Sequence, residues 1–276
     1  MKLTESQSSQ LIEFKEQIWA YYRANGRPFA WRHVEDPYQV VVSEIMLQQT
    51  QTYRVAPKYE AFMLLFPTWD ALASASTHDL LCAWQGLGYN RRALALQAIA
   101  KRVVAEFDGK LPDDPEILVE FPGIGKATAG SICAFAFNQP TVFIETNIRA
   151  VFIHFFFNDQ AEVRDDQLTS LVAQAVDHKN PREWYYALMD YGVMLKKSEP
   201  NPSRKSSHYT KQSRFEGSDR QIRGAIIRAL TQHKSLTLQE LVNVTGREPE
   251  RVMVQVDALR KERFIEEDSA STLRLR

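Results

Sequence analysis

The chain has 276 residues, of which 44% are hydrophobic and 25% are charged, the composition of an ordinary globular protein. Its 34 basic side chains balance its 34 acidic ones, so net charge does not single out a nucleic-acid-binding protein. No apolar run approaches the roughly 20 residues of a membrane span, and the N-terminus lacks the basic-then-apolar order of a signal peptide. Cys82 and Cys133 lie in apolar helical patterns, which favours buried free thiols in a reducing cytoplasm and excludes a disulfide framework.

The first part of the chain is predicted to be helical. Apolar periodicity predicts a helix over Leu11–Ala24, and a second helix begins at Pro37 and runs to about Tyr53. Glu44 and Gln48 are four residues apart and so share a face of this second helix. Because apolar residues flank Glu44, its carboxylate is predicted to face either solvent or a pocket. A pocket would favour the neutral form, as a general acid requires.

Further helices are predicted over residues 57–66, 78–87 and 90–107. The turn between the last two has the sequence GLGYNRR and carries Tyr89 and Arg91. A plain helix–helix turn accounts for the glycines. An exposed tyrosine beside paired arginines also favours contact with nucleic-acid bases.

The stretch from Phe121 to Arg149 combines a glycine turn, a helix and a carboxylate. Gly123 and Gly125 form a turn with backbone angles that glycine adopts at little cost, and Lys126–Phe137 is predicted to be a buried helix. A helix, a glycine hairpin and a second helix can grip a DNA backbone, because the amides that begin the second helix bind phosphate. Glu145 follows, and it is either a catalytic group or a helix N-terminal residue stabilised by the helix dipole.

The last third of the chain changes in character. Between Lys196 and Arg228 nine basic residues stand against three acidic ones, which favours either phosphate contact or a solvated linker. The polar segment after Pro202 is predicted to be a linker or exposed loop. Helices over 219–233, 236–246 and 248–261 and a terminal hairpin then form a winged-helix-like pattern. The third of these helices is mixed in charge, so it either reads DNA or packs against a partner.

Five motifs occur in a fixed order between Arg27 and Gln212: SEIMLQQTQ, GLGYNRRA, FPGIGKATAGSI, ETNIRAV and LMDYGVM. They resemble the helix-hairpin-helix (HhH-GPD) DNA glycosylases, and among these the MutY-type adenine DNA glycosylases. The resemblance implies an all-α, two-domain fold that holds double-stranded DNA with a damaged or mismatched base flipped out of the helix. The expected domains are residues 1–30 with 141–212, a helical domain; residues 31–140, a helical barrel domain with the hairpin; and residues 213–276, a small winged-helix-like α+β domain.

The resemblance also implies roles for individual residues. Glu44 matches the glutamate that protonates N7 of the purine, and Glu145 falls at the place of the catalytic aspartate that stabilises the sugar cation. Asn147 matches a polar neighbour that orients this carboxylate. The residues expected to bind DNA are Gln48, Tyr89, Arg91, Gly123, Gly125, Lys126, Arg204 and Lys205; of these, Gln48 and Tyr89 fill or wedge the stack beside the extruded base.

The chain departs from the family pattern at several positions, and each departure changes what is expected of its activity, its specificity or its cofactor. Ala127 stands where bifunctional relatives carry a Schiff-base lysine, so strand cleavage is not expected. Glu145 is longer than aspartate, which moves the carboxylate by roughly 1.5 Å. A larger, Nudix-like C-terminal domain that recognises 8-oxoguanine is missing, which leaves the opposite base open. The four cysteine ligands of the family's iron–sulfur cluster are replaced by Lys196, Ser203, Ser206 and Gln212, so neither a metal nor another cofactor is expected.

The sequence therefore predicts a monofunctional DNA glycosylase of base excision repair that hydrolyses the N-glycosidic bond of a purine. The expected substrate is adenine mispaired with 8-oxoguanine or guanine. Two alternatives stay open: another purine, such as hypoxanthine or an alkylated base, or a non-catalytic protein that binds damaged DNA. The expected location is the cytoplasm, at the nucleoid if the cell is bacterial, with no membrane partner.

Overall fold

The computed structural model describes residues 5–211 and 213–276. These residues are mostly helical, as predicted, with one small antiparallel sheet near the C-terminus. In the described part of the chain no helix is both long and apolar enough to cross a membrane.

The helices and strands follow one another in this order: α1 (Glu5–Asn25), α2 (Pro37–Leu47), α3 (Thr52–Leu65), α4 (Trp69–Ser74), α5 (Thr77–Trp84), α6 (Arg91–Glu106), α7 (Pro115–Leu118), α8 (Lys126–Phe137), α9 (Thr146–Phe156), α10 (Asp165–Ala175), α11 (Pro181–Ser198), α12 (Asp219–Gln232), β1 (Leu236–Thr237), α13 (Leu238–Thr245), α14 (Pro249–Lys261), β2 (Ile265–Glu267) and β3 (Thr272–Leu275). Two short 3₁₀ helices, Ala30–Arg32 and Pro202–Lys205, complete the set in the described residues.

Internal contacts divide the chain into two units. The first contains the described chain up to Glu44 together with Pro112–Lys211, and the second contains Ile45–Leu111 together with the described residues after Lys211. This division differs from the expected domain boundaries. The hairpin and α8 group with α1 and α9–α11, and the C-terminal elements group with residues 45–111.

The core of the first unit is aromatic. Phe14 of α1 lies with its ring centroid 5.2 Å from that of Phe152 on α9 and 5.9 Å from that of Trp184 on α11. Phe14, Phe152, Trp184 and Ile18 are almost fully buried. Burying such large apolar side chains is the main source of stability for a helical packing of this kind. It fixes α9 and α11, the two helices that carry much of the candidate site.

One buried ion pair ties the loop after α1 to α11. The carboxylate of Asp190 accepts from Arg32 Nη2 at 2.7 Å and Nη1 at 2.8 Å, and from Arg27 Nε at 2.6 Å. Burial opposes ionisation of Asp190, but these guanidiniums and the Arg27 amide outweigh it and lower its pKa. The paired charges hold the aromatic loop RPFAWR against the helix.

The end of α2 differs from the prediction. The helix stops at Leu47 rather than near Tyr53, and Gln49 adopts a left-handed conformation with φ 52°. Arg92 donates from Nη1 to the carbonyl of Met46 at 2.8 Å and also to those of Ile45 and Gln48, so a guanidinium from α6 satisfies the last carbonyls of α2. Gln48 therefore lies in the turn after the helix, and the expectation that it shares a helical face with Glu44 is wrong.

The elements after residue 218 pack as the sequence predicts, with one addition. The three expected helices and the terminal hairpin are present, and β1 joins the hairpin to give a three-stranded sheet of order β1-β3-β2. Leu236 pairs with Leu273 and Ile265 with Leu275. Gly246 ends α13 with φ 60°, the left-handed conformation that glycine supplies at helix ends.

The polar segment after Pro202 is not a simple exposed loop. Ser203 and Ser206 are buried, and Val163 exchanges backbone hydrogen bonds with Lys205 and Ser207 at 2.8 Å and 3.0 Å. The expectation of an exposed linker is therefore wrong for residues 202–206, because their backbone pairs with the stretch before α10. It fits residues 213–217, which are exposed.

The Asp190 pair gives a stability test. We expect Asp190→Asn to lower the free energy of unfolding by about 3–5 kcal/mol, because it leaves the buried guanidinium of Arg32 and the half-buried one of Arg27 without their counter-charge. Urea denaturation of both proteins measures the change. The control is Asp166→Asn, which breaks an exposed pair with Arg164 and should leave stability unchanged. Equal effects of the two substitutions would contradict the argument.

Candidate active site

Glu44 lies on α2 between the fully buried side chains of Val42 and Ile45 and is itself half-buried. The hydroxyl of Ser131, on α8, donates to its Oε2. Burial raises the pKa of Glu44 to about 7, and the nearby charge of Glu145 adds to the rise while the Ser131 hydrogen bond opposes it. At neutral pH this carboxyl group carries its proton in a large fraction of molecules.

Glu145 is the N-cap residue of α9. Its Oε1 accepts from the backbone amides of Asn147 at 2.7 Å and Ile148 at 2.9 Å, and its Oε2 accepts from Asn147 Nδ2 at 3.1 Å. The side chain thus satisfies amides that the first turn of a helix leaves without partners. The expected neighbour relation between Asn147 and Glu145 is present as a direct hydrogen bond.

The two carboxylates have opposite surroundings. Burial raises the pKa of Glu145, but the Ile148 amide, the ammonium of Lys196 and both nitrogens of Asn147 act against the rise. Glu44 has a single hydroxyl as its donor among these contacts, and it feels the negative charge of Glu145. When two such groups lie close together, the one with more donors holds the charge and the other holds the proton. By this count of donors, Glu145 is the better placed of the two to hold the charge and Glu44 to hold the proton, although burial still leaves the pKa of Glu145 above its usual value.

Close packing of α11 on α9 sets the position of Glu145. A Cβ on Gly192 would lie 2.6 Å from the carbonyl oxygen of Asn147, so only glycine permits this approach. Lys196 is one helical turn further along the same face of α11, which places its ammonium beside the first turn of α9. Lys196 is affected by the same interaction. Burial lowers the pKa of Lys196, and the negative charge of Glu145 acts against that change.

The segment between α8 and α9 is also fixed by contacts. Thr141 donates from Oγ1 to the carbonyl of Gly130 at 2.7 Å, and Tyr185 donates from its hydroxyl to the carbonyl of Thr141 at 2.6 Å. A Cβ on Gly130 would come within 3.0 Å of Phe143, so this glycine lets the segment lie directly on α8. Glu44 and Glu145 are therefore held by a packed framework rather than by loops.

The glycine hairpin precedes α8 as predicted. Phe121 and Ile124 are buried and anchor the turn, and Gly123 has φ 79°. Gly125 is the N-cap residue, so no side chain caps the start of α8. Lys126 begins the helix and is exposed. The hairpin presents an uncapped helix N-terminus and a cation to the solvent, the arrangement that binds a phosphate.

The comparisons with known proteins agree with these features. Residues 42–174, which include both carboxylates and the hairpin, match the model of the HhH-GPD superfamily base excision DNA repair proteins. An adenine DNA glycosylase of Mycobacterium tuberculosis is 31% identical over 239 residues, which cover 77% of each chain. The chain belongs to this superfamily. The predicted family resemblance is confirmed.

Two further relatives extend the comparison. An adenine DNA glycosylase of Buchnera aphidicola is 33% identical over 189 residues, 67% of this chain and 53% of that protein, so the chain spans about half the length of this relative. A solved thermostable thymine-DNA glycosylase superposes with a TM-score of 0.64 at 20% identity, covering 73% of this chain and 94% of that one. At this identity the superposition shows a shared fold.

The remaining DNA-binding candidates of this HhH-GPD chain include Tyr89 and Arg91, which lie in the second unit. Tyr89 is 38% exposed and sits in a turn with φ 46°. Its hydroxyl accepts from Arg220 Nη1 at 2.9 Å, and the guanidinium of Arg92 lies 5.5 Å from its ring centroid. Tyr89 is therefore in contact with Arg92 of α6 and with Arg220 of α12.

Arg91 already has a protein partner. Its guanidinium donates to both oxygens of Glu262 at 2.8 Å and 2.6 Å, and Arg223 binds the same carboxylate. The hydrogen bond from Arg91, with that from Arg223, lowers the pKa of Glu262 to about 2. A phosphate would have to compete with this carboxylate for Arg91.

The two basic candidates after α11 differ from each other. Arg204 is exposed. The ammonium of Lys205 instead donates to the carbonyl and side-chain oxygens of Asn158, which fixes it against the end of α9. Arg204 is thus the more available of the two for a phosphate.

The residues at the family's cluster positions do not fit an iron–sulfur group. Ser203 donates from Oγ to the carbonyl of Thr146 at 2.9 Å, and Ser206 accepts from the amide of His208 at 3.1 Å. Lys196 and these serines supply no thiolate, the ligand that such clusters require. Gln212 lies outside the described residues. Among the described residues no group of three or more His, Cys, Asp and Glu side chains could hold a metal ion.

Two neighbours of the carboxylates were not expected in these roles. Ser131 stands alone as a hydroxyl within a run of buried small and apolar residues on α8, and that isolation is the signal that could have found it. The sequence indicates Lys196 as part of the basic segment and as a replaced cluster ligand. It gives no sign of the electrostatic interaction with Glu145, because the two residues are far apart along the chain. Cys133 is buried as expected, while Cys82 is half-buried and touches His78.

Lys196 provides a test of the charge assignment. We expect Lys196→Met to raise the pKa of Glu145, because the substitution removes a cation that favours the ionised form. Titration of the glutamate carboxyl carbons by ¹³C NMR, with Glu145→Gln to assign the signal, measures the change. Lys197→Met, at the neighbouring exposed lysine, is the matched control and should leave Glu145 as it is. A downward shift, or the same shift in both variants, would refute the assignment.

Proposed function

We propose that this HhH-GPD protein is a monofunctional DNA glycosylase that removes adenine mispaired with 8-oxoguanine or guanine during base excision repair. The observation that carries the proposal is the pair of half-buried carboxylates with opposite electrostatic surroundings. Hydrolysis of a glycosidic bond needs such a pair, one group to protonate the leaving group and the other to stabilise the sugar cation. The adenine DNA glycosylases among its relatives support the choice of base.

Glu44 is the general acid in this proposal. Its raised pKa, about 7, keeps a proton available near neutral pH, where proton transfer is most effective. Transfer of that proton to N7 breaks the O–H bond of the carboxyl group and forms N7–H. The purine then leaves as a neutral base. The bond to the sugar breaks with its electron pair on the base.

Glu145 is the stabilising carboxylate. Three nitrogen donors and the Lys196 charge favour its ionised form against the burial that raises its pKa, and this negative charge is proposed to face the developing oxocarbenium ion. Because those donors belong to the helix and to Asn147, the charge is held in place before the reaction begins. Preorganised charge of this kind needs no rearrangement in the transition state. Water then attacks the sugar carbon and gives up a proton to the ionised Glu44, which forms the hydroxyl group on the sugar and restores the acid.

The hairpin is proposed to hold the DNA backbone. The uncapped N-terminus of α8, between Gly125 and Lys126, is suited to a phosphate oxygen, and such a contact positions the duplex without reading its sequence. Tyr89 is proposed to wedge the stack beside the extruded base, an extrusion that costs a few kcal/mol. Ala127 is exposed at the start of α8 and has no amine, so base removal without β-elimination is proposed. Since its substrate would be genomic DNA, the protein is proposed to work in the cytoplasm, at the nucleoid of a bacterial cell.

Base excision tests the catalytic pair directly. We expect Glu44→Gln and Glu145→Gln each to lower the single-turnover rate on an adenine–8-oxoguanine duplex by about 10²- to 10⁴-fold, the contribution of a positioned acid or charge. Alkali-induced strand breaks after incubation measure the product. Breaks that form without alkali would argue against a monofunctional enzyme.

The controls separate catalysis from binding. Glu60→Gln, at an exposed carboxylate on α3, should keep the wild-type rate. Both catalytic variants should still bind a duplex with 2′-fluoroadenosine at the target position. A panel with hypoxanthine and alkylated purines tests the choice of base. If no purine yields an alkali-labile site with the wild-type protein, the glycosylase proposal fails.

The phosphate contacts predict a salt dependence. We expect Lys126→Ala and Arg204→Ala each to flatten the plot of log affinity against log salt by about 0.9, the loss of one phosphate contact on duplex DNA. Fluorescence anisotropy at several salt concentrations measures the slope. Arg102→Ala removes a guanidinium that is paired with Glu106 on α6, so it should keep the wild-type slope. An unchanged slope in a variant would place its side chain off the DNA.

A further inference from the structure

Ser131 stands out on α8, the helix that begins at the glycine hairpin. It is 4% exposed and lies in a helix whose neighbouring residues 129–136 are buried. A buried hydroxyl loses its hydrogen bonds to water and needs protein partners in return. The hydrogen-bond partners of the Ser131 hydroxyl therefore indicate why a polar residue lies at this buried position.

The Ser131 hydroxyl can donate its hydrogen bond to either of two acceptors. One is the carbonyl of Thr128, three residues back in the same helix, at 3.0 Å, and the other is Glu44 Oε2 on α2. The first contact is the ordinary back-bond of a serine within a helix and would by itself satisfy the hydroxyl. The second contact is not needed for that purpose. It connects the helix of the DNA-gripping hairpin to the catalytic acid.

The chemistry of a hydroxyl makes this second contact useful in both states of Glu44. A hydroxyl has one proton to donate and lone pairs that accept, whereas an ionised carboxylate only accepts. When Glu44 is ionised, the Ser131 proton points to Oε2. When Glu44 is protonated on Oε1, Oε2 is the carbonyl oxygen of the acid and still accepts from the Ser131 hydroxyl. The group at Oε2 thus keeps a partner before and after proton transfer.

We propose that Ser131 is a positioning residue for the general acid: it holds Oε2 of Glu44, so that Oε1 carries the proton to the purine. This inference rests on the proposed function. As the O–H bond at Oε1 of Glu44 breaks and N7–H forms, negative charge develops on the carboxylate and the hydrogen bond from Ser131 to Oε2 becomes stronger. No buried polar group is left without a partner during the step. The Ser131 hydroxyl also stabilises the ionised form of Glu44. It therefore limits how far burial raises the pKa of Glu44.

Two other titratable groups, Glu145 and Tyr186, interact with Glu44. Glu145 lies close enough for its charge to raise the pKa of Glu44, and Tyr186 on α11 feels the Glu44 charge in turn. Burial raises the pKa of Tyr186, so this phenol stays neutral across the working range, and Arg32 lies 4.6 Å from its ring centroid. Ser131 does not titrate. Its removal changes the hydrogen bonding of Glu44 without adding or removing a charge.

A titration tests the contact without relying on activity. In Ser131→Ala, the ¹³C signal of the Glu44 carboxyl carbon should titrate roughly 0.5–1 pH unit higher than in the wild type, the shift expected for one lost hydrogen bond to a carboxylate. Glu44→Gln assigns the signal. Ser43→Ala is the matched control, because Ser43 is equally buried, neighbours Glu44 and donates only a comparable back-bond, to the Val40 carbonyl at 2.8 Å. Equal titration in the wild type and in Ser131→Ala would overturn the proposal.

The pH dependence of excision tests the role. A general acid works in its protonated form, so the rate falls as pH rises through its pKa. In Ser131→Ala the alkaline limb should move up by the same amount, so that at about pH 8.5 the rate relative to its own plateau is roughly three- to tenfold above the wild-type ratio. The plateau itself should fall severalfold as Oε2 loses its anchor.

The outcomes distinguish the two proposals. A shifted titration with no excision by any form of the protein would refute the glycosylase function and leave the Ser131–Glu44 contact established. A change in melting temperature with an unmoved alkaline limb would show that Ser131 is only structural. Ser43→Ala should leave both the limb and the plateau at their wild-type values.

Discussion

The site depends on one constraint: two carboxylates share a region where water is largely excluded, and both cannot hold a negative charge there cheaply. The surrounding donors decide which one does. Glu145 receives two backbone amides, a side-chain amide and the field of a lysine, whereas Glu44 receives one serine hydroxyl. These contacts favour the ion at Glu145 and the acid at Glu44, although the two side chains are chemically identical.

This division requires accurate placement, and the packing provides it. Gly192 allows α11 to approach the first turn of α9, and Gly130 allows the segment before Glu145 to lie on α8. At both places a methyl group would force the backbone apart. The aromatic cluster around Phe14 and the buried Asp190 pair then hold α1, α9 and α11 together. Sub-ångström placement of a charge is the property that a preorganised site needs most.

Much of the fold could be predicted from the sequence, because local sequence patterns indicate where most of the helices begin and end. The glycines of the hairpin fixed the start of α8, and Lys126–Phe137 has the predicted bounds. The end of α2 could not be predicted in the same way, since the side chain of Arg92, from a different helix, binds its last carbonyls. The same limit applies to Ser131 and Lys196. Each acts through a contact with a residue far along the chain, and periodicity within one helix contains no information about it.

Two of the departures from the family pattern, Glu145 and the replaced cluster ligands, meet at one place, the first turn of α9. The longer Glu145 side chain curls back so that Oε1 caps the amides of Asn147 and Ile148, which restrains the extra methylene instead of letting the carboxylate move freely. Two of the residues that replace cluster ligands act on the same turn: Ser203 donates to the carbonyl of Thr146, and the charge of Lys196 favours ionised Glu145. The cation of Lys196 opposes the effect of burial on the Glu145 carboxylate. The glutamate and the lysine are therefore best understood as one unit, because each makes the other's burial less costly.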